Sequence, residues 1–187
     1  LDDQVSRAMG PTTPRPESVD HEYDMVCRND INTSGNIQWY YFSARAPEQA
    51  SYPLRVRFNL TNMMKRDALY NFGMLPCVYS ERRAMENLVS WKHEGQDVCY
   101  YKNWLMYTKG RKKKVKSHYS LSFTYTFSGP DTVYFSHCFP YTYTTLQRYL
   151  HAKSIDPRVS TFFRRRALAT TLAGHTCDLI VIAADSN

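Results

Sequence analysis

The sequence predicts a mainly β fold: an antiparallel β-sandwich, followed by the first helix and strands of an α/β domain. Apolar and polar residues alternate over several stretches, and turn residues rather than helical periods separate these stretches. Near residue 140 the pattern changes to a helical period and then to an unbroken apolar run. We therefore predict an extended lead-in over residues 1–20, a sandwich domain over residues 21–143, and an incomplete α/β domain over residues 144–187.

Period-two alternation marks the strands of the predicted sandwich. Apolar residues alternate with polar ones over residues 54–61 and again over residues 120–127. Because successive side chains of a strand point to opposite faces, each segment lays one face on a core. Residues 39–42 are all aromatic, which predicts a central strand that is covered on both sides. Residues 98–101 and 133–139 supply further short strands.

One helix is predicted directly after the sandwich. Thr144 and Gln147 fit a capping box, in which a Thr hydroxyl at the N-cap and a Gln side chain three residues later each satisfy an amide of the first turn. Leu146, Tyr149 and Leu150 then have the spacing of one helix face. An amphipathic helix of this kind packs that face on its neighbours.

The helix is predicted to end at Asp156-Pro157, and two strand-like segments follow at about 158–172 and 177–184. The second segment contains the run Leu179–Ile182, which has no alternation and is typical of a strand buried on both faces. A helix followed by a buried strand is typical of the beginning of an α/β domain.

Composition excludes several classes of protein. Hydrophobic residues make up 43% of the 187 residues and charged residues 22%, as in globular proteins. The longest apolar run, residues 179–184, is far shorter than the ~20 residues that span a bilayer, so no membrane partner is expected. The five cysteines are scattered without a Cys-x-x-Cys pair, which disfavours a disulfide framework and a zinc cage. We expect most of them to pack as small apolar side chains in a reducing compartment, the cytoplasm.

A basic run is the most prominent charged feature. Its six cations are Lys109, Arg111, Lys112, Lys113, Lys114 and Lys116. Aromatic strand-like segments flank the run, which predicts a hairpin loop. The run is either a solvated loop or a docking patch for an anionic partner, and the shorter run 164–166 has the same two interpretations. Nucleic acid is not favoured, because the aromatic residues follow a core-like alternation.

No complete catalytic or metal site can be identified from the sequence. None of the six histidines has a glutamate three residues later, and His175 with Asp178 is the nearest approach to a metal-ligand pair. His137 and Cys138 are adjacent, but neighbours on a strand point to opposite faces and cannot share a proton. We therefore assign no catalytic residue and no metal ligand.

Five segments carry a further pattern. They are residues 30–42, residues 58–60 with 68–76, residues 90–95 with 100–103, residues 131–135, and residues 139–143. Taken together, in this order and spacing, they resemble the cytosolic carboxypeptidases, the branch of zinc carboxypeptidases that trims glutamates from tubulin tails. The last segment, Phe-Pro-Tyr-Thr-Tyr, is similar to that family's Tyr-Pro-Tyr-Thr-Tyr signature. Structural roles are implied for the signature residues Trp39, Gly73, Met74, Pro76, Trp91, Gly95, Pro140, Tyr141, Thr142 and Tyr143.

The resemblance implies both a fold and the absence of a reactive centre. In that family an N-terminal antiparallel β-sandwich precedes the catalytic α/β domain. The first zinc ligands lie in a His-Pro-Gly-Glu motif a short way beyond the segment that matches residues 178–182. Because the sequence ends at Asn187, before such a motif, we expect neither zinc nor activity in this chain alone. The parent enzyme is implied to be a zinc metallocarboxypeptidase that deglutamylates proteins.

The function that the resemblance implies is that of an accessory N-terminal domain. Such a domain supports its own catalytic domain and the access of acidic, polyglutamylated tails such as those of tubulin. Two alternatives stay open: a free-standing β-sandwich module that binds or scaffolds an anionic partner, and a self-sufficient cysteine hydrolase.

Overall fold

Two four-stranded sheets dominate the computed structural model, which describes residues 18–33, 35–109 and 114–183. The first sheet has the order β1-β3-β7-β6 and contains the strands His21–Met25, Leu54–Met63, Lys114–Phe127 and Gln96–Lys109. The second has the order β2-β8-β4-β5 and contains the strands Tyr41–Ala46, Asp131–Ser136, Cys77–Ser80 and Lys92–His93. All pairs are antiparallel except β1 with β3, which is parallel. The predicted mainly β fold is confirmed.

The two strongest alternating segments form the paired centre of the first sheet. Residues 54–61 lie in β3 and residues 120–127 lie in β7, in antiparallel register with Phe58 opposite Phe123. The apolar residues of these two segments are buried, as predicted. The polar residue Thr124 is also fully buried, because the Arg57 side chain extends over it on the outer face and donates to its hydroxyl at 3.4 Å.

A single aromatic core joins the two sheets. The Phe58 ring of β3 lies 5.1 Å from the Phe135 ring of β8 and 5.3 Å from the Phe42 ring of β2, between centroids. The Phe123 ring of β7 lies 5.6 Å from the rings of Phe58 and Phe135. Such ring pairs contribute about 0.5–1.5 kcal/mol each beyond the burial of their area. The architecture is therefore a β-sandwich with its core between β3, β7, β8 and β2.

The prediction of a central strand at residues 39–42 is wrong. Strand β2 begins at Tyr41 and lies at the edge of the second sheet. Tyr40 is buried, whereas Trp39 is 47% and Tyr41 is 46% exposed. The stretch is aromatic on both faces because its outward rings join an aromatic cluster on the outer face of the sheet, and Tyr41 contacts Tyr134 there with centroids 6.2 Å apart.

A short helix lies between β4 and β5 and was not among the predicted elements. Helix α1 spans Glu81–Asn87, and the Ser80 hydroxyl caps it by accepting the N–H of Arg83 at 3.0 Å. No residue of α1 is buried. A helix of two turns without a buried face leaves no apolar period in the sequence, so the pattern could not reveal it.

The predicted helix after the sandwich exists, but it begins earlier than predicted. Helix α2 spans Tyr143–Ile155, and its N-cap is Thr142, whose hydroxyl accepts the N–H of Thr145 at 3.2 Å. The assignment of Thr144 as the N-cap is therefore wrong. The predicted end is confirmed, since Asp156 is the C-cap.

The side chains of α2 also depart from the prediction. Gln147 does not reach back to the helix start; its amide donates to Asp178 at 2.8 Å and its carbonyl oxygen accepts from Arg165. Of the predicted apolar face, Leu150 is buried, but Tyr149 is 54% exposed. The helix thus contacts its neighbours through polar groups as well as apolar ones.

Strands β9 (Phe163–Thr170) and β10 (Thr176–Ile182) form an antiparallel hairpin. The first lies within the predicted segment 158–172, and the second begins one residue before the predicted segment 177–184. The prediction that the run Leu179–Ile182 is buried on both faces is wrong, because Val181 is 40% and Ile182 is 71% exposed. Among the described residues no further strand pairs with this hairpin, and α2 packs mainly against β9.

The helix α2 and the hairpin β9–β10, which we call the C-terminal unit, have a small core of their own. Leu150 and Phe163 are buried but do not belong to the aromatic core of the sandwich. The predicted division of the chain at residue 143 stays a prediction, and most of the predicted lead-in lies outside the described residues. Neither helix in the described part of the chain is long and apolar enough to cross a bilayer.

We predict that Phe58→Ala lowers the free energy of unfolding by about 3–5 kcal/mol, because it removes a ring from the centre of the core. Chemical denaturation measures this change. Phe72→Ala is the matched control, since the Phe72 ring is 75% exposed and its removal should change stability by less than about 0.5 kcal/mol. Equal losses in the two variants would contradict the assigned core.

Candidate functional site

The basic run includes the last residue of β6 and the first residues of β7, two strands that pair with each other. Strands β6 and β7 pair up to Lys109 and Lys114, and the residues of β7 before Tyr119 pair with β6 alone. Lys114 and Lys116 are exposed. Arg111, Lys112, Lys113 and the side chain of Lys109 lie outside the described residues. The role of this run as a patch for an anionic partner stays a prediction.

The second basic run, residues 164–166, is not a uniform cationic patch. Arg165 forms an ion pair with Asp178 at 2.7 Å and also donates to Gln147. The hydrogen bonds from Arg165 and Gln147 lower the pKa of Asp178. Arg164 donates to the backbone carbonyl oxygens of Ser160 and Thr161. These two arginines therefore form contacts within the C-terminal unit.

The Phe-Pro-Tyr-Thr-Tyr segment connects the sandwich to the C-terminal unit. Thr142 caps α2, as described above, and the Tyr143 ring stacks on His175 with centroids 4.4 Å apart. The Tyr143 hydroxyl donates to the carbonyl oxygen of Thr176 at 3.3 Å. Pro140 and Tyr141 precede the helix, and Tyr141 is 63% exposed. The segment therefore positions both the start of α2 and the turn between β9 and β10.

The two signature glycines lie at backbone positions with positive φ, which favour glycine. Gly73 has φ +91° and ends a short 3-10 helix at Leu69–Phe72. Gly95 has φ +151°, and a Cβ there would lie 3.2 Å from the Cδ of the fully buried Pro76. Met74 packs against the aromatic core. These residues shape the loop that precedes β4 and the turn that follows β5.

The signature tryptophans lie on the outer face of the second sheet. The Trp39 indole donates to the Cys138 sulfur at 3.2 Å. The Trp91 ring contacts the rings of Tyr79 at 5.5 Å and Tyr41 at 6.0 Å, between centroids. Both tryptophans thus stabilise a partly exposed aromatic surface.

A buried tyrosine–histidine network is a feature that the sequence pattern did not reveal. The hydroxyls of Tyr40 and Tyr70 are 2.9 Å apart, and the Tyr70 hydroxyl is 3.0 Å from the Nδ1 of His137. The backbone N–H of His137 donates to the backbone carbonyl oxygen of Tyr40 at 3.1 Å, which closes the network. Burial raises the pKa of Tyr70 to about 12 and raises that of Tyr40 as well. Burial, with the charge of Lys65, lowers the pKa of His137.

The described residues do not form a nucleophilic or metal site. His137 bonds to Tyr70 whereas Cys138 accepts from Trp39, so the two neighbours do not form a cysteine–histidine pair. Within the described residues, no group of three His, Cys, Asp or Glu side chains is placed to hold a metal ion. A catalytic zinc therefore does not fit the residues present, and we assign no reaction step to this chain.

The predicted packing of the cysteines is confirmed for Cys77, which is buried, and in part for Cys27. It is wrong for Cys99, Cys138 and Cys177, whose side chains are exposed. All five are free thiols.

The fold of this chain is found in another protein of known structure. The structure is similar to the crystal structure of a putative carboxypeptidase A from Shewanella denitrificans OS-217, with a TM-score of 0.54 and 14% identity. The similarity covers 88% of this chain and 35% of that one. At this identity the match shows the fold alone, which is one found within a carboxypeptidase chain. No family model matches the sequence.

Sequence similarity gives the particular family. The chain is 38% identical over 167 residues to cytosolic carboxypeptidase 2 of Xenopus tropicalis, across 89% of this chain and 16% of that protein. It is 36% identical over 168 residues to cytosolic carboxypeptidase 1 of Gallus gallus, across 88% and 14%. It is 37% identical over 166 residues to cytosolic carboxypeptidase 3 of Bos taurus, across 87% and 16%. The chain is thus homologous to one segment of the cytosolic carboxypeptidases, which confirms the predicted relationship, and it spans less than a fifth of the length of each of these three relatives.

We predict that acid weakens the fold through His137. Because the folded-state pKa of His137 lies below the ordinary 6.5, the folded protein binds fewer protons than the unfolded chain. The contribution of this group is complete above the unfolded pKa and is lost as the pH falls through the folded one. The free energy of unfolding should therefore decrease between about pH 7.5 and 5.5, and His137→Gln should reduce that decrease. His151→Gln, at an exposed position of α2, is the control. An unchanged pH dependence in His137→Gln would remove this role.

Proposed function

We propose that this chain is the accessory N-terminal β-sandwich domain of a zinc metallocarboxypeptidase, which removes glutamates from tubulin or other polyglutamylated proteins in the cytoplasm. The observation that carries the proposal is the 38% identity to a cytosolic carboxypeptidase over 167 residues. The similarity covers 89% of this chain. The chain would act as a support rather than as the reactive part.

The C-terminal unit supports the proposal that an α/β catalytic domain continues the chain. The hairpin β9–β10 exposes the apolar side chains of Leu179, Val181 and Ile182. A two-stranded hairpin with uncovered apolar residues is marginally stable by itself, and strands of this composition are usually covered on both faces. Further strands and helices of a catalytic domain would supply that cover. The sandwich would then be held against the catalytic domain through the Thr142 cap and the Tyr143–His175 stack.

The charge of the chain favours an acidic substrate. Residues 31–187 hold 21 bases and ten acids, a net charge of +11. The cations of residues 109–116 are the densest group among them in the sequence. Complementary charge of this kind acts mainly on the rate of association and is screened by salt. The hairpin would therefore help polyglutamate tails to approach the catalytic domain.

The reactive groups are assigned to the parent enzyme and not to this chain. The described residues offer no metal cluster, as shown above. The proposed zinc and the catalytic residues would therefore belong to the catalytic domain. This chain would contribute structural support for that domain.

The direct test uses the longest polypeptide that the gene encodes. We expect it to release glutamate from a peptide with a polyglutamate tail, to lose this activity on treatment with a zinc chelator, and to regain it with added zinc. A polypeptide that lacks this activity in every zinc condition would contradict the proposal and favour a free-standing module for an anionic partner.

The role of the basic hairpin has a separate test in the same polypeptide. We predict that replacing Lys112, Lys113 and Lys114 together by Gln raises the KM for the glutamate-rich peptide several-fold at low salt and leaves kcat unchanged, because steering acts before the chemical step. The difference should vanish at high salt.

The matched control removes three positive charges elsewhere. Arg28, Arg66 and Lys102 are exposed and are replaced together by Gln, which gives the same net charge. An equal rise of KM in both triple variants would show that only net charge matters. An unchanged KM in the hairpin variant would refute the steering role.

A further inference from the structure

Four aromatic rings form a closed circuit on the outer face of the second sheet. The pairs in contact are Tyr41 with Trp91, Trp91 with Tyr79, Tyr79 with Tyr134, and Tyr134 with Tyr41, with centroid distances of 6.0, 5.5, 6.1 and 6.2 Å. Strands β2, β8 and β4 supply the three tyrosines, and the register places Tyr79 directly opposite Tyr134. The circuit is thus built on three neighbouring, paired strands of the second sheet.

The circuit lines an open cavity together with residues of helix α1. The cavity has a volume of about 570 Å³, and the remaining lining residues are Glu81, Ala84 and Met85. Met85 at the rim is 82% exposed, and Tyr41 is 46% exposed. The rings are therefore not a sealed core, and a small group can reach them from solvent.

One carboxylate is held within this cavity. The Tyr134 hydroxyl donates to the Oε1 of Glu81 at 2.8 Å, which fixes the orientation of the carboxylate. The other oxygen of Glu81 accepts no hydrogen bond from any side chain in the described part of the chain. Neither lysine nor arginine is among the described lining residues. The described lining therefore carries one negative charge and no positive charge, although the chain as a whole carries a net charge of +7.

The four aromatic rings together with the Glu81 carboxylate favour a cation over a neutral ligand. The faces of Trp and Tyr rings carry partial negative charge and attract an ammonium or guanidinium group that lies over them. The carboxylate adds a charge-assisted hydrogen bond, which a neutral group of the same shape cannot match. An anion, by contrast, would meet repulsion from Glu81.

We propose that the Tyr41–Trp91–Tyr79–Tyr134 cavity binds an organic cation of the guanidinium or alkylammonium class, such as the side chain of an arginine or a lysine. The aromatic faces enclose the cation, and Glu81 accepts its hydrogen bond. The site is separate from the basic hairpin, which carries the opposite charge and belongs to the first sheet.

The test titrates the 187-residue chain with methylguanidinium chloride and follows the indole N–H signal of Trp91 by NMR. We expect a saturable shift with a dissociation constant on the order of 10 mM, as for other ligands of so few atoms, well below the concentrations of guanidinium salts that unfold proteins. Methylurea has the same shape without the charge and should give no saturable shift. Methylammonium in a parallel titration distinguishes a lysine-type from an arginine-type ligand, and saturable binding of either supports the site.

Two pairs of variants separate the parts of the site. Glu81→Gln should weaken binding about fivefold, whereas Glu86→Gln on the same helix should leave it unchanged. Tyr41→Leu should weaken binding about threefold, whereas Tyr101→Leu, at a position equally exposed in the first sheet, should not. Equal shifts with methylguanidinium and methylurea, or no saturable shift with either cation, would overturn the proposal. Equal dissociation constants for Glu81→Gln and Glu86→Gln, or for Tyr41→Leu and Tyr101→Leu, would also overturn it.

Discussion

The packing of Phe58 against Phe42 and Phe135 is the contact on which the rest of the structure depends. It is the place where the two sheets meet, with ring centroids 5.1 and 5.3 Å apart. Neither sheet could bury its apolar face without the other, because each has only four strands and no helix layer covers the core side. Once this core is formed, the outer faces of both sheets are left free to carry other groups. The aromatic circuit with Glu81 and the polar surface around Arg57 are such groups.

The connection from the sandwich to the C-terminal unit is polar and local. Thr142 caps α2, Tyr143 stacks on His175, and the ion pair of Arg165 with Asp178 joins β9 to β10. Contacts of this kind define the orientation of the C-terminal unit. The stable body of the sandwich and this oriented link are compatible with the proposed supporting role.

The alternating strands could be predicted from the sequence because one face of each lies on the aromatic core. Residues 54–61 and 120–127 have that pattern and occupy β3 and β7. The same reasoning failed at Trp39 and Tyr41, since a ring can be stabilised by other rings on an outer face without a covering layer. In the tyrosine–histidine network, Tyr70 bonds to Tyr40, which lies 30 positions away in the sequence, and to His137, which lies 67 positions away. A local sequence pattern cannot predict contacts over such separations. The family relationship came from matched segments, which composition and periodicity alone could not supply.

The central claim is that one aromatic core makes the sandwich a single cooperative unit, to which the C-terminal unit is attached more weakly. Native-state hydrogen exchange tests this claim most directly. The account predicts that buried amides of β3, β7 and β8 exchange with one common free energy, equal to that of global unfolding. Amides of β9 and β10 should exchange at a clearly lower free energy. Equal protection of the hairpin and the sandwich, or separate opening of β3 and β8, would contradict the account.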